Sequence, residues 1–282
     1  MTQARDKAVL VKLKISSWGG YKTDKQTSRE VALGKNASKT DAGSYIKKLL
    51  GKGEAGQIGR IKNKALSYYQ SISLPWEDTG YRILPTALFM EFSENVRKFK
   101  SDFQIAKRNF ISDLPKIKES GRLRLGDLYR EEDYPTIGEL ERKIHFSTTL
   151  MPLPGSSDFR LDLPEEEAEA IKREAKKAEK EMAAGIIREC CKKMYEPLKN
   201  IIEKVKEFDD KWQESSLKKL GTIAQIIRKL NIVDDPEINH IAHKISSDIV
   251  SHHPFDIKHR PSTRNVVIKS GEELLSTMEG IM

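Results

Sequence analysis

PEEEAEAIKREAKKAEKEMAAGIIRECCKKMYEPLKNIIEKVKEFDDKW, residues 164–212, decides the fold class. Apolar residues recur in it every three or four positions: Ile171, Ala175, Ala178, Met182, Ile186, Cys190, Met194, Leu198, Ile201, Val205, Phe208 and Trp212. Because 3.6 residues complete a helical turn, that spacing draws one apolar stripe along an α-helix. Pro164 occupies a first helical position, and the three glutamates behind it suit the positive end of the helix dipole. The pattern predicts an amphipathic helix of more than forty residues. Pro197 should kink or interrupt it, since proline lacks the amide that the ladder needs. Two further helices, about 214–230 and 236–251, are expected to fold back on the first as an antiparallel bundle. After Pro254 the chain reads as an irregular tail.

Upstream the period changes. Val9, Val11, Leu13 and Ile15 alternate with Leu10, Lys12 and Lys14, a half-buried strand with both lysines on its outer face. Trp18-Gly19-Gly20-Tyr21 breaks it, and KTDKQTSREVALGKN (22–36) returns as a second strand or a loop. Residues 40–50 read as a short helix capped by Thr40 or Asp41. A second helix over 57–72 carries Ile58, Ile61, Ala65, Tyr69 and Ile72 on one face, with Arg60 and Lys64 opposite. Prolines 75 and 85 frame an irregular connection. Thr86 then caps a helix over about 87–111, in which Phe89, Phe92, Val96, Phe99, Phe103 and Phe110 form a core stripe. A short helix over 115–130 follows. KIHFSTTLMPLP (143–154) and DFRLDL (158–163) form a hairpin about Gly155-Ser156-Ser157, with Pro152 and Pro154 holding the first strand near a sheet edge. The fold class is α+β and mostly helical. Its expected parts are a basic α/β domain (1–162), a long-helix bundle (163–253) and the tail (254–282).

Charge is distributed unevenly. The net charge is +8, yet residues 1–75 alone carry 15 Lys+Arg against 5 Asp+Glu. A local positive field of that kind suits a polyanion, because counterions released from phosphates supply much of the affinity. Aromatic rings interleave with these cations, as in single-strand binders that stack bases in a basic groove. The candidate nucleic-acid contacts are Lys12, Lys14, Lys22, Lys25, Lys47, Lys48, Lys52, Arg60, Lys62 and Lys64 for phosphate, with Trp18 and Tyr21 for stacking.

Several chemistries are disfavoured. Gly51-x-Gly53-x-x-Gly56 has the letters of a dinucleotide turn but no strand before it and no acidic residue about twenty positions later. It is expected to bring a basic helix–loop–helix close to a phosphate backbone, with the free amides of the second helix as donors. Asp133 and Glu141-Arg142-Lys143 are similar to the Asp…Glu-x-Lys site of Mg²⁺-dependent nucleases, though eight residues is a short separation. No Ser-His-Asp or Cys-His nucleophile pattern is present, so a non-enzymatic protein without a cofactor is expected. His240 and His243 share a helical face, but no cysteine or recognised carboxylate pattern joins them in a metal signature. Cys190 and Cys191 are adjacent and poorly placed for a mutual disulfide, which fits a reduced, cytoplasmic protein. MTQARDKAVLVKLKISS lacks the continuous apolar core of a signal peptide, and no apolar run approaches the roughly 18 residues of a membrane span.

Three stretches carry a resemblance: SSWGGYKTDKQTSREVA (16–32), LPWEDTGYRILPTALFMEFSENVRKFKSDF (74–103) and EEDYPTIGELERKIHFSTTLMPLPGSSDFRL (131–161). Together the chain resembles an uncharacterised family of tailed-phage and prophage proteins over about residues 8–250. The resemblance implies a phage origin and the host cytoplasm, and it assigns no functional residue. The resulting expectation is a sequence-tolerant nucleic-acid-binding protein, for single-stranded DNA in replication or recombination, that self-associates through its long helices. Alternatives are an inhibitor of a host or defence protein and a virion assembly protein.

Overall fold

The computed structural model describes residues 6–38, 40–76, 80–154, 165–207 and 214–282. The chain is α+β and mostly helical. Its contacts divide into two units, both discontinuous in sequence. One comprises Met1–Lys12, Gln70–Glu91 and Thr149–Met282; the other comprises Leu13–Tyr69 and Phe92–Thr148. The expected boundary at 162/163 therefore gives way to a nested arrangement. Strand pairing is the reason: the N-terminal strand binds its hydrogen-bond partner more than seventy residues downstream.

In the first unit, here the bundle unit, β1 (Ala8–Ser16) pairs antiparallel with β5 (Tyr81–Pro85), Ala8 opposite Pro85 and Val11 opposite Arg82. β5 pairs in turn with β4 (Leu74–Trp76). β6 (His145–Pro152), which like β1 has residues in both units, completes the sheet order β4-β5-β1-β6. Thus residues 74–76 and 81–85, expected to be irregular, are short strands; the register with β1 satisfies backbone groups that the prolines leave free. The expected hairpin mate of β6, residues 158–163, lies outside the described residues.

The long helix α6 (Glu165–Lys206) runs through Pro197 without interruption, so of the expected kink or interruption the second does not occur. Its stripe from Ile186 through Cys190, Met194, Leu198, Ile201 and Val205 is buried. It packs with Leu217, Leu220, Ala224, Ile227 and Leu230 of α7 (Glu214–Leu230) and with Ile238, Ile241 and Ala242 of α8 (Pro236–Lys244). Asp235 caps α8 by accepting from the amides of Glu237 and Ile238. A π-helical turn over Ile245–Val250 continues it.

The tail is helical rather than irregular. α9 (Pro254–His259) is capped by His253, whose Nδ1 accepts from the Phe255 amide, and α10 (Pro261–Ile281) follows. α10 forms because Val267, Gly271, Leu274 and Met278 repeat every three or four positions and find a surface to cover. Gly271 sits so close to α6 that an added Cβ would lie 2.2 Å from Ile202 Cδ1. The tail is thus part of the bundle core.

The second unit, here the basic unit, contains β2 (Tyr21–Asp24), α1 (Lys25–Gly34), β3 (Tyr45–Lys48) and α2 (Gly56–Ser71). It also holds most of α3 (Thr86–Ser112), α4 (Leu114–Leu125) and α5 (Ile137–Lys143). Residues 25–34 were expected as strand or loop and 45–48 as helix; both are reversed. Asp24 ends β2 and caps α1, accepting from Gln26 N at 3.1 Å and Thr27 N at 3.0 Å. β3 is drawn into a ribbon with β2, Tyr21 opposite Lys48 and Asp24 opposite Tyr45. α2 and α3 run antiparallel, since Tyr68 meets Phe99 (ring centroids 6.0 Å) and Tyr69 meets Phe92 (6.2 Å). Phe103 and Phe146 lie 5.5 Å apart, so the aromatic stripe of α3 is core, as expected.

Candidate nucleic-acid interface

The positive excess follows the units more closely than it follows the sequence quarter. The basic unit holds 24 Lys+Arg and 14 Asp+Glu, a balance of +10; the bundle unit holds 26 and 28, a balance of −2. Any polyanion attracted by the chain's field is attracted to the basic unit.

Not every predicted cation is available there. Lys47, placed among the phosphate contacts by sequence, is only 2 % exposed. Its Nζ lies 2.9 Å from Asp24 Oδ2 and 2.5 Å from Asp133 Oδ2, and it donates to the Leu128 carbonyl at 3.1 Å. The β2–β3 register explains the burial: side chains of a strand alternate, and Lys47 falls on the face that Asp24 also occupies. Burial alone would lower its pKa, but the Asp133 and Asp24 carboxylates outweigh that and hold it above its ordinary value. The Thr27 amide, followed by the Lys47 ammonium, brings Asp24 down to about 2. Lys47 is thus an internal counterion that ties the ribbon to the 131–133 turn. Asp133 is correspondingly engaged by an ammonium.

Trp18 is also corrected. Its ring is half-buried and packs edge-on against Phe110 and Tyr134, each at 6.2 Å, so part of it is engaged in packing within the unit. Gly20 (φ +67°) lets the chain turn there: an added Cβ would lie 2.4 Å from Leu50 Cγ. Tyr21 differs, being 63 % exposed. It shares the outer ribbon face with Thr23, Ile46 and Lys48, all exposed, since Tyr21 opposes Lys48 and Thr23 opposes Ile46.

The glycine motif is a closed turn. Gly51 N donates to Glu54 Oε2 at 2.6 Å, Gly53 adopts φ +91°, and Gly56 N donates to the Gly53 carbonyl. Arg124 reaches from α4 to the Leu49 carbonyl at 2.8 Å and stands 3.8 Å from Glu54. The protein's own carboxylate occupies the position that a phosphate takes in a Gly-rich cradle. Neither Glu54 nor Arg124 was singled out by sequence; their partners are distant along the chain, or form only when the turn closes.

Among the described residues, Lys14, Lys22, Lys25, Lys48, Lys52, Arg60, Lys62 and Lys64 of the basic unit carry no ion pair; Lys62 is half-buried and the other seven are exposed. Lys12 belongs to the bundle unit, where its ammonium lies 5.1 Å from the Tyr81 ring centroid. The structure thus brings eight of the predicted cations and Tyr21 onto one unit, buries Lys47 and leaves Trp18 half-buried. No family model, curated protein or solved structure matches this chain in the comparisons made. No helix of the described residues is long and apolar enough to cross a membrane.

Proposed function

We propose that the basic unit binds the phosphate backbone of nucleic acid, single-stranded DNA in preference to duplex, without enzymatic turnover. The observation that carries this reading is the set of eight cations without ion pairs on the unit that holds the whole positive excess. Surfaces that are only solvated mix signs, as the bundle unit does. Tyr21 on the outer ribbon face, beside Lys48, supplies a ring for stacking. A phage protein of the host cytoplasm that self-associates along α6 belongs to the same reading. The half-buried Ile171, Ala175 and Met182 of that helix favour the self-association.

The test is fluorescence anisotropy with a labelled single strand and its duplex, titrated in salt. Contact with about five phosphates would give a log–log salt slope of about −3.5 for the single strand. Replacing Lys48, Lys52, Arg60 and Lys64 by Glu should flatten that slope; Lys47 must be left intact. No binding at about 50 mM salt, where even non-specific contacts persist, would end the proposal.

A second reading, docking to a host protein, is favoured by apolar side chains on the same unit: Leu33 is 71 % and Ile46 57 % exposed. It predicts a tight protein partner and only weak, salt-sensitive DNA binding.

A further inference from the structure

A groove of about 330 Å³ opens on the solvent side of the α2–α3 pair. Gln57, Arg60, Ile61 and Lys64 line it from α2, the i, i+3, i+4, i+7 face of that helix, and Asp102 and Ile105 line it from α3. Its walls are fixed: farther along the same pair, Asn95 Nδ2 donates to the Tyr68 hydroxyl at 3.0 Å and Tyr68 packs on Phe99. Arg60, Lys64 and Asp102 are exposed and have no ion pair among the described residues. Sites held on helices position side chains more tightly than sites on loops.

Asp102 is the informative residue. A groove built only to hold phosphate gains nothing from a carboxylate, which repels the ligand. A groove that also receives a base can use one, because a carboxylate accepts from an exocyclic amino group. The two isoleucines offer apolar contact to a ring face, and Ile105 is 44 % exposed. The volume lies at the small end of the range for ligand pockets, about 300–1,000 Å³, which suits one nucleotide and not a paired stack.

We propose that this groove takes one unpaired nucleotide of a single strand, with Arg60 and Lys64 on its phosphate, Ile61 and Ile105 against its base, and Asp102 accepting from an amino group on the base edge. This deepens the nucleic-acid reading above and rests on it. Cytosine offers its N4 amino group to Asp102, and the Gln57 amide can donate to its ring acceptors. Thymine would turn a carbonyl oxygen toward the carboxylate and be disfavoured. The backbone contacts are then indifferent to sequence, whereas the groove ranks bases.

The experiment compares oligo(dC) and oligo(dT) of about twelve nucleotides, within the site sizes of single-strand binders, by anisotropy at pH 7.5 with the full chain. Binding to oligo(dC) is expected to be about tenfold tighter, the discrimination of one good base contact. Asp102→Asn should bring the ratio close to one with its helical circular dichroism unchanged. Lys25→Ala, on α1 and outside the groove, should weaken both oligonucleotides alike and leave the ratio intact. Equal wild-type affinities with a steep salt slope would overturn the groove assignment and leave backbone binding standing. A ratio preserved in folded Asp102→Asn would also overturn it. No binding to either oligonucleotide would remove both readings.

Discussion

Replacing Lys47 by methionine isolates the buried ion triad. Methionine is close to lysine in length and apolar, so the main change is loss of the ammonium between Asp24 and Asp133, whose side chains are only 8 % and 9 % exposed. Removing one partner of a buried ion pair typically costs about 3–5 kcal/mol, because the remaining charge is stranded. Asp24 keeps its two helix-capping amides, so the stranded charge is chiefly that of Asp133. Against a typical domain stability of about 5–15 kcal/mol, the loss is large.

The pH dependence has a defined sign. Asp24 is depressed from 3.8 to about 2, so its contribution is present above pH 3.8 and is lost as pH falls toward 2. Lys47 is raised above 10.5, so its contribution is full below 10.5 and fades as pH climbs through the raised value. The gap between wild type and Lys47→Met should thus be flat from about pH 4 to 10 and narrow on either side. Urea unfolding reads it, with Trp18 as the reporter of the basic unit after Trp76→Phe and Trp212→Phe. A gap below about 1 kcal/mol at pH 7, the value of an exposed pair, would refute the buried-counterion assignment.

Gly271→Ala should destabilise the bundle unit by about 1–3 kcal/mol through overpacking against Ile202. In an Ile202→Ala background the same change should cost little or even stabilise, since alanine is the better helix former; additive effects in thermal melts would refute the contact. Burial pushes the thiol of Cys190 up to about 12 and that of Cys191 up to about 11. Both should therefore resist thiol reagents at pH 8 and label only as fast as the bundle opens; rapid labelling of the native protein would contradict their placement.

What sequence revealed was whatever a local period could encode. The stripe of α6, the α2 and α3 faces and the alternation of β1 all repeat within a few residues, and all were legible. Misreadings arose where a distant partner decided the outcome. Tyr45-Ile46-Lys47-Lys48 has no strand signature of its own, and it becomes β3 by pairing with β2 and seating Lys47 between two carboxylates. Asp24 caps α1, but the sequence reading did not single it out, and Thr27 and Val31 give the segment a β-like composition. Pro197 was expected to kink or interrupt α6, and with buried side chains on both sides of it the helix is not interrupted. For the candidate interface, counting lysines could not separate a solvent-facing ammonium from a buried one. Nor could it find Asp102, whose interest lies in facing Arg60 and Lys64 from another helix.

The nesting of the two units bears on the order in which they can be completed as the chain emerges from a ribosome. Every residue of the basic unit has been synthesised once Thr148 is added, whereas the bundle unit waits for α10. Until then residues 8–11, 74–76 and 81–85 can pair as strands, but the apolar face that Ala8, Leu10, Leu74 and Ile83 turn toward the helices has nothing to cover it. The basic unit can therefore close on itself before the bundle unit receives its last helix.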